Sequence, residues 1–380
     1  MQREVKNSET LLTPGVSVVI CSHDSAEVIV PTVEALALQE LPEGLPYEVI
    51  LVDNNCTDDT VELVRRHWNS SVGELRVIEE TRPGIIHARR RGVLEARHDI
   101  IVFADDDNIL ARDWIRRAVA IFAAKPRAGA VGGYNEPLVD GEKPEWFERY
   151  QAVYACGTQA PRSGPVTRTR KMLFGAGLAI RTHVVRSILT EGPPLVLVGR
   201  TGKQLLRGDD SEICMRCVLK GWELWYESSL CLKHHLLPRR VTWDYIRQAR
   251  QRGAAAQLIL GVYQRIIDGR PPRYFLRTLR DLLRAWKKYW SKKPGKRAPG
   301  TQADFEYCSL VGRTRGLLRL GWRYNTIQRM LIEAFAGEPG AAPQMPRHAP
   351  PPGGGERAER HLRPSRRHRR RGRRPGPGTA

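Results

Sequence analysis

The chain has 380 residues, 62 Lys plus Arg against 41 Asp plus Glu, and 41% hydrophobic residues. Such a length holds one large domain with an appendage or two ordinary domains, and the apolar fraction excludes wholesale disorder. The formal charge of +21 is unevenly placed: residues 341–380 hold 11 Arg against Glu356 and Glu359, and residues 270–300 hold 11 Lys plus Arg against Asp281. The remainder is nearly neutral, so the basic balance alone does not mark a nucleic-acid-binding protein.

The first residues, MQREVKNSETLL, lack an apolar core of signal-peptide length. No run of 18 apolar residues occurs anywhere, so neither export nor a spanning helix is expected. From Val16, β-branched runs read as strands buried on both faces: 16–21, 47–53, 75–79, 99–105 and 128–134. Amphipathic segments near 28–38, 58–67, 85–96 and 112–124 lie between them, with Asp59 and Glu62 spaced as a capping box. The alternation predicts an α/β fold with a mostly parallel, Rossmann-like sheet flanked by helices. Four prolines within 135–174 predict an irregular excursion over the rim. Then follow an element at 173–181, a mobile stretch at 191–207, a helix at 210–220 and a strand at 223–227. Residues 241–292 read as helices rich in Arg, Trp and Tyr, and after Gly337 the composition turns to Pro, Gly, Arg and Ala, which cannot fold alone. The expected division is a catalytic domain at 1–236, a basic helical extension at 237–336 and a disordered tail at 337–380.

In parallel sheets ligands sit beyond the carboxyl ends of the strands. Polar clusters fall at those ends: Ser22, His23 and Asp24; Asp53, Asn54 and Asn55; Asp105, Asp106 and Asp107. Three consecutive carboxylates after a buried strand repel one another unless a cation neutralises them, and hard oxygen donors favour Mg²⁺ or Mn²⁺ bridging to phosphate. Asp53 is placed to read a ribose or a base edge. Gly84 before a helix and Arg89 one turn inside it suit a diphosphate. There is no GxGxxG after the first strand and no GxxxxGK[ST], which removes the dinucleotide and P-loop readings. In RGDDSEICMRC, Asp210 and Ser211 stand where a helix begins; a carboxylate kept ionised there can accept a proton from an attacking hydroxyl. His234 and His235 follow the next strand, within reach of the triple-Asp site as a metal or phosphate ligand. Seven cysteines form no even framework, and the single CxxC at Cys214 and Cys217 reads as core packing in a reducing compartment.

VSVVICSHDS, VDNNCTDDT, RPGIIHARRRG, FADDDN and GDDSEICMRCVLKGW occur in the order found in glycosyltransferase family 2, and over residues 15–236 the chain resembles that family, whose catalytic domain has the GT-A fold. The DDDN ending and HHLLPRRVTWDY look closest to bacterial polysaccharide-assembly members such as hormogonium polysaccharide glycosyltransferases. The resemblance implies Ser22, His23, Asp53, Gly84 and Arg89 at the nucleotide and diphosphate. It implies Asp105 and Asp107 as the DxD metal and nucleotide-sugar motif with Asp106 between them, and Asp210 as the catalytic base. CSHD stands where PTYN is usual, ARR for ARN and GDD for GED, which leaves Asp209 as an alternative base.

The expected activity is metal-dependent, inverting transfer of a hexosyl group from a nucleotide-diphosphate sugar to a saccharide or lipid-linked saccharide hydroxyl, in bacterial cell-surface or extracellular polysaccharide synthesis. Asp105 and Asp107 with His234 would hold the metal. Two other classes stay open: a nucleotidyltransferase, although its Gly-rich basic phosphate loop is missing from VSVVICSHDS, and a nucleic-acid-binding protein, although the Arg-rich tail has no aromatic residue for base stacking. No specific nucleic acid is expected as a partner. Leu276, Leu279, Leu282, Leu283 and Trp286 recur at helical spacing among Arg and Lys, so residues 270–293 predict a basic amphipathic helix lying on an anionic membrane surface. The expected location is cytoplasmic, peripheral at the inner face of the cell membrane.

Overall fold

A computed structural model describes residues 12–198, 208–293, 295 and 297–340. The β-branched runs become β1 (Thr13–Ser22), β2 (Tyr47–Asp53), β3 (Glu74–Glu79) and β4 (His98–Ala104), alternating with α1 (Ile29–Ala37), α2 (Thr60–His67) and α3 (Ile85–Glu95). Then come β5 (Asn108–Leu110), α4 (Trp114–Ala124), β6 (Ala128–Val139), α5 (Phe147–Tyr150), β7 (Gly164–Pro165), β8 (Leu178–Arg181), α6 (Thr182–Leu189), α7 (Asp209–Leu219) and β9 (Glu223–Leu236). In space the strands run β3-β2-β1-β4-β8-β6-β9-β5, with β7 on β9. The first four are parallel, β8 is antiparallel to both neighbours, and β6 and β9 return to the direction of β1. This is the α/β class expected from the sequence, with a central sheet flanked by helices.

Alternation along β1 explains why both faces are apolar. Val18 and Ile20 point to one side, where they pack with Ile29, Val33, Val64, Trp114 and Ile115. Val19 points to the other, with Ile101, Phe103, Ala88, Val185 and Ile213. At Gly92 in α3, a β-carbon would come within 2.3 Å of Val19 Cγ1. Helix and sheet therefore meet backbone to side chain at this point, which only glycine permits.

After β1 the chain moves to β2 and β3 on one side, and α3 then carries it back to β4 on the other. The boundary of β1 and β4 is thus a topological switch point, where the divergence of the loops opens a crevice. Register fixes what stands there. Ser22 pairs with Asp53 and Ile20 with Ala104, so the polar residues after β1, β2 and β4 share one rim.

Several expectations are corrected. Residues 135–139 are not irregular but continue β6, pairing with 232–236 of a β9 that runs nine residues past the expected end at 227. His234 and His235 consequently lie within a strand, not after it. Asp59 makes no side-chain capping bond at α2; Asp58 accepts the Thr60 N–H at 3.1 Å instead. The 173–181 element is a strand only from Leu178. Of the stretch expected to be mobile, 199–207 lies outside the described residues, as does the tail from 341.

The carboxyl-terminal helices are α8 (Trp243–Ile267), α9 (Phe275–Ser291), α10 (Gln302–Leu320) and α11 (Arg323–Ala334). Thr242 and Thr301 cap α8 and α10 by accepting backbone N–H bonds from Tyr245 and Asp304. Met215 and Leu219 of α7 share a core with Ile259, Tyr263, Leu282 and Leu317, and all described residues belong to one compact unit. Inside that contact Glu212, fully buried, accepts from Arg216 at 2.8 Å, from the Tyr263 hydroxyl at 2.6 Å and from the Val196 and Leu197 amides. A buried carboxylate with four donors is satisfied, so the network fastens α7 to α8 at no desolvation deficit.

Candidate active site

Asn54 builds the first wall. Its buried amide donates to the carbonyls of Glu80 (2.7 Å) and Arg82 (2.8 Å), and its oxygen accepts the Gly84 N–H at 2.9 Å. The three bonds hold the 80–84 turn against β2 and fix Gly84, at φ 121°, as the residue before α3. Asp53 accepts the Cys56 N–H at 2.8 Å and so closes its own turn. His23 is exposed; its Nδ1 donates to the carbonyls of Asn54 at 3.0 Å and Asn55 at 3.1 Å, and its Nε2 stands 3.9 Å from Asp24. Ser22 is buried and bonds the Ser25 hydroxyl.

Arg89 lies at the floor. It is buried beneath the Phe103 ring, pairs with Asp209, and stands 3.8 Å from Asp105. Burial disfavours its charge, yet Asp209 and Asp105 outweigh burial and raise its pKa. The guanidinium therefore joins the acidic run after β4 to the acidic start of α7. Asp209 turns inward to that ion pair. Asp210, half-buried, accepts the Gly175 N–H at 3.1 Å and the Ser211 N–H at 2.7 Å. A β-carbon on Gly175 would sit 3.0 Å from Asp210 Cβ and 3.3 Å from Arg89 Nη2.

The three carboxylates of FADDDN differ in environment. Asp107 is buried; one oxygen meets Arg240 at 2.5 Å, and the other meets His234 Nε2 at 3.2 Å and Asn108 at 3.0 Å. Burial opposes its charge, but His234 and Arg240 hold its pKa down to about 2, and the same carboxylate pushes His234 up to about 10 despite burial. Asp105 and Asp106 are left with the repulsion. Desolvation and the neighbouring carboxylates raise Asp106 to about 7, and desolvation raises Asp105 against the pull of Arg89. Arg240, on the turn after β9, was not singled out by sequence. No local pattern marks it, because its partner lies across the rim.

Among the described residues, no three His, Cys, Asp or Glu side chains converge as a ready-made metal cage. The donor set still fits a hard divalent cation. Asp105 and Asp106 are adjacent carboxylates whose pKa values are raised by burial and by repulsion from neighbouring carboxylates, and Mg²⁺ is commonly held by one or two carboxylates plus substrate phosphates. Asp107 and His234, the other expected ligands, are here paired with each other, and Asp107 also with Arg240.

Residues 17–185 match the family model described as Glycosyl transferase family 2. Among curated proteins, the chain is 32% identical over 128 residues to the glycosyltransferase AglE of Haloferax volcanii, covering 33% of this chain and 41% of that one. It is 29% identical over 134 residues to the succinoglycan biosynthesis protein ExoO of Rhizobium meliloti, covering 35% and 37%. The chain thus spans less than half the length of these relatives. Among solved structures, the mannosyltransferase PcManGT of Pyrobaculum calidifontis, in complex with GDP-Man and Mn²⁺, aligns with a TM-score of 0.49 at 20% identity over 86% of this chain and 87% of that one. The sheet, its switch-point crevice and the match to the Glycosyl transferase family 2 model coincide in sequence over residues 17–185.

Proposed function

We propose that the protein is an inverting glycosyltransferase that moves a hexosyl group from a nucleotide-diphosphate sugar to a hydroxyl of a saccharide or lipid-linked saccharide. The observation that carries this reading is the position of Arg89, which brings Asp105 and Asp209 to one guanidinium and so makes the two acidic motifs a single site. Ser22, His23 and Asp53 line the rim where a nucleoside would lie, with Gly84 and the start of α3 beside the diphosphate. Asp106 faces the same crevice. Asp105 and Asp106 would hold Mg²⁺ or Mn²⁺, joined by Asp107 and His234 once Arg240 withdraws. When bound, such an ion offsets charge on the departing diphosphate.

Asp210 is the base. Asp209 is committed to Arg89, whereas Asp210 sits at the mouth, held by two backbone amides that favour its ionised form. It takes the proton of the acceptor hydroxyl as that oxygen bonds to the anomeric carbon. The bond from that carbon to the diphosphate breaks on the opposite face, inverting the centre, and such a base supplies about 10²–10⁴ in rate. The succinoglycan relative and the HHLLPRR segment support a role in bacterial polysaccharide assembly of the kind seen in hormogonium polysaccharide synthesis, on the cytoplasmic side of the membrane. A screen of nucleotide sugars with Mn²⁺, read as nucleoside diphosphate release by wild type and by Asp210→Asn, tests the assignment. Release that is equal in the two proteins for every donor overturns it.

A further inference from the structure

The single apolar stripe of α9 is only partly covered by the protein. Leu282 and Tyr289 are buried, Leu279 packs on the α8–α10 core, and Trp286 Nε1 donates to Thr314 at 3.0 Å. That face belongs to the protein interior. Leu276, Leu283 and Trp290 are 64%, 61% and 56% exposed. They are seven residues apart, so they form one row along the outer side of the helix. Trp322, 63% exposed, leans on Phe275 at 5.1 Å and extends the row beyond its amino end.

The flank of this row is cationic. Arg277, Arg280, Arg284, Lys287 and Lys288 are all exposed on the same outward side, and Asp281, the helix's one acid, is tied to Arg273 and Arg284. An aliphatic and Trp row edged by Arg and Lys, with no free acid, matches an interfacial helix: the apolar side chains enter the acyl boundary and the long cations reach the headgroups. Single-stranded nucleic acid would use the cations and Trp290, but Leu276 and Leu283 offer no face for a base to stack on. No helix among the described residues is long and apolar enough to cross a membrane, so the contact is with the surface.

We propose that the outer row of α9, Leu276, Leu283 and Trp290 with its Arg and Lys flank, docks the protein on an anionic lipid bilayer. The test is flotation of the full chain with phosphatidylglycerol-containing and with pure phosphatidylcholine vesicles, comparing wild type with Leu276→Ser/Leu283→Ser/Trp290→Ser. The arginine-rich carboxyl-terminal segment is identical in both proteins, so the difference between them isolates the row. Wild type should partition to anionic vesicles, and the triple variant should lose about tenfold or more of that partitioning. Its melting temperature should stay within a few degrees of wild type, because all three side chains already face solvent. Equal partitioning of the two proteins overturns the proposal, as does failure of wild type to float with either vesicle. A variant that keeps vesicle binding but loses affinity for a single-stranded oligonucleotide would assign the row to nucleic acid instead. Donor hydrolysis in vesicle-free solution, measured in parallel, reports on the catalytic assignment separately.

Discussion

Arg240 and Asp107 lie 133 residues apart in sequence and meet at 2.5 Å beside His234. A carboxylate from the acidic run after β4 is thereby neutralised from within the protein, and a cation approaching the crevice meets Arg240 as a competitor.

Removing Arg240 should destabilise the metal-free protein and sensitise it to metal. The pair is largely buried, so breaking it leaves Asp107 with His234 and Asn108 only, at a cost of about 1–3 kcal/mol after allowance for the partial exposure of Arg240. Melting of Arg240→Gln should fall by several degrees without metal. Added Mn²⁺ should restore more stability in the variant than it gives wild type, since at a given concentration a more tightly bound ion stabilises more, with the logarithm of its affinity. Equal Mn²⁺-induced shifts would show that the guanidinium and the ion do not compete.

Neighbouring substitutions in the acidic run should have opposite signs. Asp107→Ala strands two cations in a buried setting and should cost about 3–5 kcal/mol. Asp106→Asn should stabilise the metal-free protein, in a pH-dependent way. Its folded pKa of about 7 lies above the unfolded value, so the native carboxyl favours the protonated form. Its penalty is absent below about pH 4, grows as pH rises toward 7 and is complete above it. Urea unfolding should therefore show Asp106→Asn more stable than wild type by about 1–3 kcal/mol at pH 8 and equal to it at pH 4. A gain independent of pH would disprove this cause.

The two aspartates heading α7 should separate by readout. Asp210→Asn should lower transfer by about 10²–10⁴ with nucleoside diphosphate affinity retained in calorimetry. Asp209→Asn frees the buried Arg89 and should weaken diphosphate binding itself, because the guanidinium loses the partner that orients it. If Asp210→Asn loses nucleotide binding, its carboxylate serves the helix start and not the acceptor.

Gly175→Ala should slow turnover without unfolding the protein. The new methyl would stand 3.0 Å from Asp210 Cβ, tighter than ordinary contact, so the carboxylate must shift by a few tenths of an ångström. Misplacing a catalytic group by about 1 Å can cost about 10²-fold, so a loss of roughly tenfold in kcat with near-normal KM is expected. Steady-state kinetics beside a melting curve separates this from general damage.

Local pattern made much of the sheet legible. The run at 47–53 is the whole of β2, and each of the first four helices falls within about two residues of its periodic segment, because β-branched runs and 3.6-residue spacing are properties of neighbours in sequence. The second half of β9 was illegible for the converse reason: Lys233, His234 and His235 carry no strand signal and are held extended by pairing with β6, past a register break that contains Ser228 and Ser229. At the site, the polar strand ends could be read as one rim. The pairing of Arg89 with Asp209 and of Arg240 with Asp107 could not, since each joins residues more than a hundred positions apart.

Helix α7 is a wall shared by two neighbours. Its first turn presents Asp209 and Asp210 to the crevice, and one turn later Glu212 and Arg216 are bolted to Tyr263 of α8. A protein cut after Leu236 would keep every residue of the acidic motifs and still leave Glu212 and Arg216 without Tyr263, with Met215 and Leu219 uncovered. The carboxyl-terminal helices therefore act as scaffolding for the chemistry, and damage to their packing would travel down a single helical turn to the carboxylate proposed to take the proton.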